Sequence, residues 1–321
     1  MLKEKIKVIN LRKYFKLSKE DIVHAVDGVS FNIFKDEIMG LVGESGSGKT
    51  TIGRCILSLI EPDEGKVILN EDNKNILDFS KKEMIKIRKE MQIIFQDPFS
   101  SLDPRQTVEQ LISEPLRVTK FGSKKQIKER VLYLLNQINL SKEIINKYPH
   151  ELDGGRCQRI GIARAIALDT VSFLVCDEPV SSLDVSSQAQ VLKLIKRLRE
   201  KLGLTMLFIS HDLSVVRMLS QRIMVMYLGL VVEIADSNTL FNEPLHPYTK
   251  ALLSAVPVLD VNRPRKKIVL KGEIHTPINV GQGCRFYNRC YTSLKKCEHI
   301  SPELIETSKN HFVRCHLYNK K

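Results

Sequence analysis

No apolar run in this 321-residue chain reaches the 18 or so residues needed to span a bilayer. The longest, "IMVMYLGLVVEIA", is shorter and carries a Tyr, a Gly and a Glu. The opening "MLKEKIKVINLRKYF" alternates charge with apolar residues and lacks the hydrophobic region of a signal peptide, which predicts a protein made and kept in the cytoplasm. There is no internal repeat and no low-complexity tract, and 43% apolar residues exclude a disordered chain. From Val261 onward there is no Asp: 13 Lys and Arg face 4 Glu, so nine of the thirteen net positive charges lie in this tail. A basic tail suits nucleic acid, anionic lipid headgroups, an acidic partner or simply a solvated surface.

The residues that are present fall into an order. Apolar alternation marks strands at "IKVINL", "VSFNIF", "IMGLVG", "GKVILN", "MQIIFQ", "FLVCDE", "TMLFIS" and "RIMVMYL". Helical patterns follow Lys49 and run over 127–138, 154–168 and 187–202. Antiparallel-looking strands come first and strand-helix alternation later, with a mostly helical block over 107–168 between them. The fold class is therefore an α/β nucleotide-binding core with a helical insertion. After about Val256 the sequence turns Pro-, Arg- and Lys-rich, which marks a small C-terminal module.

"GESGSGKTT", Gly43 to Thr51, follows the strand "IMGLV" and fits G-x-x-x-x-G-K-[ST]. Its glycines allow a tight loop whose N–H groups face phosphate, and the next helix begins with its positive end on the same anion. Lys49 would reach the β- and γ-phosphates and the Thr50 hydroxyl would hold Mg²⁺. In "FLVCDEP" the buried strand delivers Asp177 to its C-terminal end, where α/β sheets place ligands. Asp177 can bind Mg²⁺ through water, and Glu178 can polarise an attacking water. Gln96, ending "MQIIF", could contact Mg²⁺ and the water; His211, after "TMLFIS", could donate to the γ-phosphate; Asp184 lies in "SSLD". Taken singly, a strand-end Gln, a capping His and an Asp turn are common structural features. Their order along one chain is the informative fact.

Together, the phosphate loop, "FQDP", "GGRCQR", "VCDEPVSSLDVS" and "FISHDLSVV" resemble the ATP-binding subunit of an ABC transporter over roughly residues 5 to 255. "FQDPFSSLDPRQTV", "YPHEL" and "HPYTKALLSAVP" narrow the likeness to the oligopeptide and dipeptide importer branch, nearest its F-type subunit. The resemblance implies a P-loop NTPase domain over 1–255, with an antiparallel β subdomain and a helical subdomain at about 97–168. A Cys-containing extension would occupy 256–321. It implies that Tyr14 stacks on adenine. Gly43, Glu44, Ser45, Gly46, Ser47, Gly48, Lys49, Thr50 and Thr51 would cradle Mg²⁺-ATP, with Gln96, Glu178 and His211 catalytic. Asp153, Gly154 and Gly155 would face the nucleotide of a second subunit, and Asp184 would belong to the nucleotide-binding set. The implied partners are that second ATPase in a head-to-tail heterodimer, two membrane permeases and an extracytoplasmic peptide-binding protein. The implied location is peripheral, on the cytoplasmic face of the inner membrane, with no nucleic acid. A nickel or glutathione importer is the rival within the branch. A soluble ABC ATPase acting on nucleic acid and a P-loop small-molecule kinase are rivals outside it.

Two features depart from simple expectation. Cys284, Cys290, Cys297 and Cys315 follow C-x5-C-x6-C-x17-C, a poor match to the close pairs of zinc sites. In a cytoplasmic chain they suggest metal before disulfides, and the tail resembles importer extensions of which some carry a 4Fe–4S cluster; cluster, zinc and reduced thiols all stay open. In the family, Ser normally precedes the Gly154-Gly155 pair and Gln follows it. Here they are Asp153 and Arg156. Asp caps a helix as well as Ser does, but a carboxylate repels phosphate unless Arg156 offsets it.

Overall fold

The apolar alternation of the first 34 residues forms two long antiparallel strands, β1 (Glu4–Lys16) and β2 (Ile22–Phe34), in the computed structural model of the protein. The structure describes residues 3–70, 74–256, 267–272 and 276–319. These divide into two compact units, 1–78 with 208–321, and 79–207.

In the first unit Ile6, Val8, Leu11, Val26, Val29 and Ile33 of β1 and β2 are buried. β3 (Ile38–Val42) has all five residues buried, as a strand covered on both faces requires. It runs through a glycine-rich loop into α1 (Lys49–Ile56). β4 (Glu64–Leu69) then pairs antiparallel with β1, giving a sheet in the order β2-β1-β4.

The second unit opens with α2 (Lys81–Glu90), β5 (Met91–Ile94), α3 (Val108–Val118) and α4 (Lys124–Gln137). Ser80 with Glu83, Thr107 with Gln110 and Ser123 with Gln126 form reciprocal capping boxes that fix the starts of α2, α3 and α4. α5 (Gly154–Ala165) follows, then β6 (Phe173–Asp177), parallel to β5, and α6 (Val185–Leu202). α6 buries Val191, Leu194, Ile195 and Leu198 and ends at Gly203, which takes a left-handed φ of 61°. The helical block expected at 97–168 is thus embedded in a larger unit, together with two strands and α6.

The division falls inside β7 (Thr205–Ser210). The first unit resumes with α7 (Leu213–Leu219), β8 (Arg222–Tyr227), β9 (Leu230–Asp236), α8 (Ser237–Asn242) and α9 (Pro247–Ser254), and ends with β10 (Ile305–Ser308) and β11 (His311–Val313). β8 lies parallel to β3, β9 antiparallel to β8 and β11 antiparallel to β9, giving the order β10-β11-β9-β8-β3. The long apolar run of the sequence is the β8–β9 hairpin. Leu228 and Gly229, at φ 43° and 81°, make the two-residue turn with left-handed backbone that such hairpins favour.

The tail expected as a separate module from 256 groups instead with the first unit. Phe312 pairs with Ile234, and Ile278 bridges Val23, so the tail supplies hydrogen bonds that β9 and β2 would otherwise leave open. The Pro- and Arg-rich junction 257–266 lies outside the described residues. Among those described, no helix is long and apolar enough to cross a membrane.

Candidate functional site: a nucleotide site

The loop between β3 and α1 is shaped for an anion. Gly48 caps α1 at φ 101°, and a Cβ there would stand 1.9 Å from the Ala25 carbonyl oxygen, so only glycine fits. No side chain caps α1 and no acidic residue occupies its first turn, which leaves the helix start electropositive. The loop is tied by Ser47 N–H donating to Glu44 O (3.2 Å) and by Gly229 N–H donating to Ser47 O (2.9 Å). Lys49 is 5% exposed, and its Nζ donates to Gly43 O (2.8 Å) and Glu44 O (2.9 Å). Ser47 Oγ is buried with no hydrogen-bond partner among the described residues. An orphaned hydroxyl beside an uncapped helix start and a buried ammonium is a donor set that fits a phosphate chain. Thr50 and Thr51 are half-buried at the head of α1, while Ser45 and Gly46 are exposed.

Tyr14 lies half-buried on β1. Its hydroxyl donates to Asp27 Oδ1 (2.7 Å) and its ring sits 4.5 Å from that of His24. Burial, and then the Asp27 carboxylate, push its phenol up to about 12. Asp27 is also paired with Arg285 from the tail. His211, also in the first unit, is exposed just beyond β7.

The second unit gathers the carboxylates. β6 is buried along all five residues and ends on Asp177, 2% exposed. Glu178 follows at φ 47°, a conformation costly for a residue with a Cβ and typical of functional turns. Gln96 Nε2 donates to Glu178 Oε2 at 3.2 Å, so these two predicted residues do meet. Asp153 caps α5, its Oδ1 accepting from Arg156 N–H (2.8 Å), while Arg156 Nε pairs with its Oδ2 at 3.2 Å. A Cβ on Gly155 would stand 2.8 Å from Ser187 Oγ, so that glycine serves the close approach of α5 and α6. Asp184 caps α6 through Ser187 N–H (3.0 Å), which holds its carboxyl below the usual range.

The four tail cysteines are free thiols, Cys297 buried and the others half-buried. Cys284 N–H donates to Cys297 O (2.7 Å), and Cys297 Sγ accepts from Leu294 N–H (3.4 Å). Burial pushes the Cys284 thiol up to about 11, and Cys297, Cys315 and Cys290 add to the rise. The four are therefore near neighbours electrostatically. Yet among the described residues no three His, Cys, Asp or Glu side chains are arranged to hold a metal ion, so the thiols as placed do not fit one.

Sequence reasoning missed the tail's part in the site. Arg285 reaches Asp27, Arg289 reaches Glu44, and the Tyr248 hydroxyl accepts from Glu44 N–H at 2.9 Å. Tyr248 stood within the branch motif "HPYTKALLSAVP". The two arginines had no signal beyond lying next to Cys284 and Cys290.

A phosphate loop after a buried strand, with a strand-end Asp-Glu pair, defines a P-loop ATPase, and comparison with known proteins gives its class. The ABC transporter family model matches residues 26–181, and the model of the oligopeptide/dipeptide transporter C-terminal region matches 232–297. The oligopeptide transport ATP-binding protein AppF of Bacillus subtilis is 45% identical over 319 residues, covering 97% of this chain and 96% of its own. The oligopeptide transport ATP-binding protein OppF of Haemophilus influenzae is 42% identical over 312 residues, covering 96% and 93%. Among solved structures, a dimeric post-hydrolysis state of the ATP-binding cassette MJ0796 with ADP and Pi matches at a TM-score of 0.65 and 31% identity, covering 72% of this chain and 98% of that one. The chain belongs to the ABC transporter ATP-binding subunits, in the oligopeptide/dipeptide transporter family.

Proposed function

We propose that this ABC ATPase binds and hydrolyses ATP to drive peptide import, working head to tail with a second ATPase subunit beneath two membrane permeases. An extracytoplasmic peptide-binding protein would feed the complex, and this chain would sit on the cytoplasmic face of the membrane. The observation that carries the peptide assignment is the oligopeptide-type C-terminal region, joined in one unit to the phosphate loop. The family binds ATP with Mg²⁺. In this chain Lys49 would leave the Gly43 and Glu44 carbonyls for the β- and γ-phosphates, and Thr50, Gln96 and Asp177 would hold Mg²⁺, which neutralises phosphate charge. Glu178, turned by its left-handed backbone and hydrogen-bonded by Gln96, would polarise the attacking water, and His211 would donate to the γ-phosphate. Tyr14 would stack on adenine.

The second unit carries a surface suited to a permease segment. A groove of about 650 Å³ is lined by Ile85, Phe95, Pro115, Val118 and Arg164, with Ile85 and Val118 mostly exposed. Co-purification of tagged protein should bring down membrane permease subunits, and vesicles holding the assembled complex should take up a labelled oligopeptide only with ATP. Uptake of nickel or glutathione in place of peptide would overturn the substrate, and retention of nucleic acid with no permease would overturn the class.

A further inference from the structure

The side chain of Glu44 is a negative charge within the loop that must receive a polyanion. In this structure it is matched. Arg289, on a short helical turn of the C-terminal extension, meets it with both terminal guanidinium nitrogens, Nη1 at 2.6 Å and Nη2 at 3.1 Å. Both side chains are largely buried, Arg289 at 9% and Glu44 at 19% exposed, so solvent screens the pair little. Arg289 is itself held over Tyr227, which packs with Tyr248 and Phe286 in a buried aromatic cluster. Glu44 is thereby fixed at three points: its carboxylate by Arg289, its N–H by the Tyr248 hydroxyl and its carbonyl by Lys49. The same five-residue stretch sends Arg285 to Asp27, the carboxylate that holds the Tyr14 hydroxyl.

We infer that Arg289 is a positioning residue for ATP binding: it neutralises and orients Glu44 so that the phosphate loop presents donors to the nucleotide. The C-terminal extension is on this reading a working part of the nucleotide site. With Arg289 removed, a pair that only glued the tail down would leave ATP binding indifferent to whether position 44 is a carboxylate or an amide. A charge-matching pair would not, because the penalty falls on phosphate only while Glu44 is ionised and unpartnered.

The inference rests on Gly43–Thr51 being the phosphate loop, and the experiment tests the two separately. Binding of mant-ATP with Mg²⁺ to the full-length chain is measured for the wild type, Lys49→Ala, Arg289→Ala, Glu44→Gln and the Arg289→Ala/Glu44→Gln double variant, with ATP kinetics of the assembled transporter and thermal unfolding alongside. Arg289→Ala should weaken ATP on the order of tenfold, through KM more than kcat, and the double variant should recover most of the loss. Should Arg289→Ala fail to fold, Arg289→Lys keeps the charge without the fork and should show a smaller loss that Glu44→Gln again relieves. Equal weakening in Arg289→Ala and the double variant, or wild-type affinity in Arg289→Ala beside a lost Lys49→Ala, overturns the inference and leaves the loop assignment standing. Wild-type affinity in Lys49→Ala would instead overturn that assignment.

Discussion

The starts of α1 and α5 look alike in sequence, each a glycine-rich turn running into a helix, and they are built for opposite tasks. At α1 the cap is Gly48, with no side-chain hydrogen bond and no acid in the first turn. At α5 the cap is Asp153, whose carboxylate takes Arg156 N–H and pairs with Arg156 Nε. The first helix start carries no side-chain cap and no acid of its own. The second has satisfied one donor with its own side chain and brought a cation to balance it. A third start, that of α9, shows another solution: His246 Nδ1 accepts from Tyr248 N–H at 3.1 Å, deep in the first unit. A glycine pair beside a helix thus announces close backbone approach, and only the cap residue says whether an anion is welcome there.

The comparison breaks most sharply at Gly48. Alanine there would hold φ 101° against its preference and drive a methyl into the Ala25 carbonyl. We expect a loss of about 3 kcal/mol or more, with Mg²⁺-ATP binding abolished, measured by urea unfolding and mant-ATP titration. The same substitution at Gly154 has φ in the ordinary range, and its nearest neighbour, Leu183, stands 3.4 Å away. It should cost far less, and equal losses at the two sites would show that Gly48 is no special case.

Acid separates the α9 cap from the α5 cap. Burial pushes His246 down to about 4, against the opposing pull of the Glu233 carboxylate, while Arg314 and Lys250 also face it. Unfolded His protonates near pH 6.5, so between about 6.5 and 4 the unfolded chain holds a proton that the folded chain lacks. Stability from this group is complete above pH 6.5 and falls as pH drops toward 4, by up to about 3 kcal/mol. His246→Asn keeps an acceptor for the cap and removes the titration. Urea midpoints at pH 7 and pH 4.5 should differ less in that variant, and an identical drop would mean that other groups carry the acid sensitivity.

How much of this was open to reading follows from the range of each interaction. The buried strands β3, β6, β7 and β8 were legible because full burial writes an unbroken apolar run, and the phosphate loop because its chemistry is local. β9 was hidden within the same run as β8, since Leu228 and Gly229 carry no polar turn signal. β10 and β11 are short and partly polar, and they exist as strands because the edge of β9 needs a partner. Asp153 as a cap was legible from its position before Gly-Gly. The grip of Arg289 on Glu44 joins residues 245 apart, and no periodicity or spacing carries such a pair.

Cap and charge at Asp153 can be pulled apart, and the effects should be the smallest of the set. Asp153→Ala removes the acceptor for Arg156 N–H and should cost about 1 kcal/mol of stability. Asp153→Ser keeps an acceptor and removes the charge. If α5 lends its start to a partner's ATP, the lost charge should lower the KM for ATP of the assembled transporter. Asp153 and Arg156 are 59% and 46% exposed and paired at 3.2 Å, so solvent and the guanidinium already screen most of any repulsion. The expected gain is therefore on the order of two- to fivefold, confined to KM. An unchanged KM in Asp153→Ser, with Glu178→Gln still abolishing turnover, would reduce Asp153 to a helix cap.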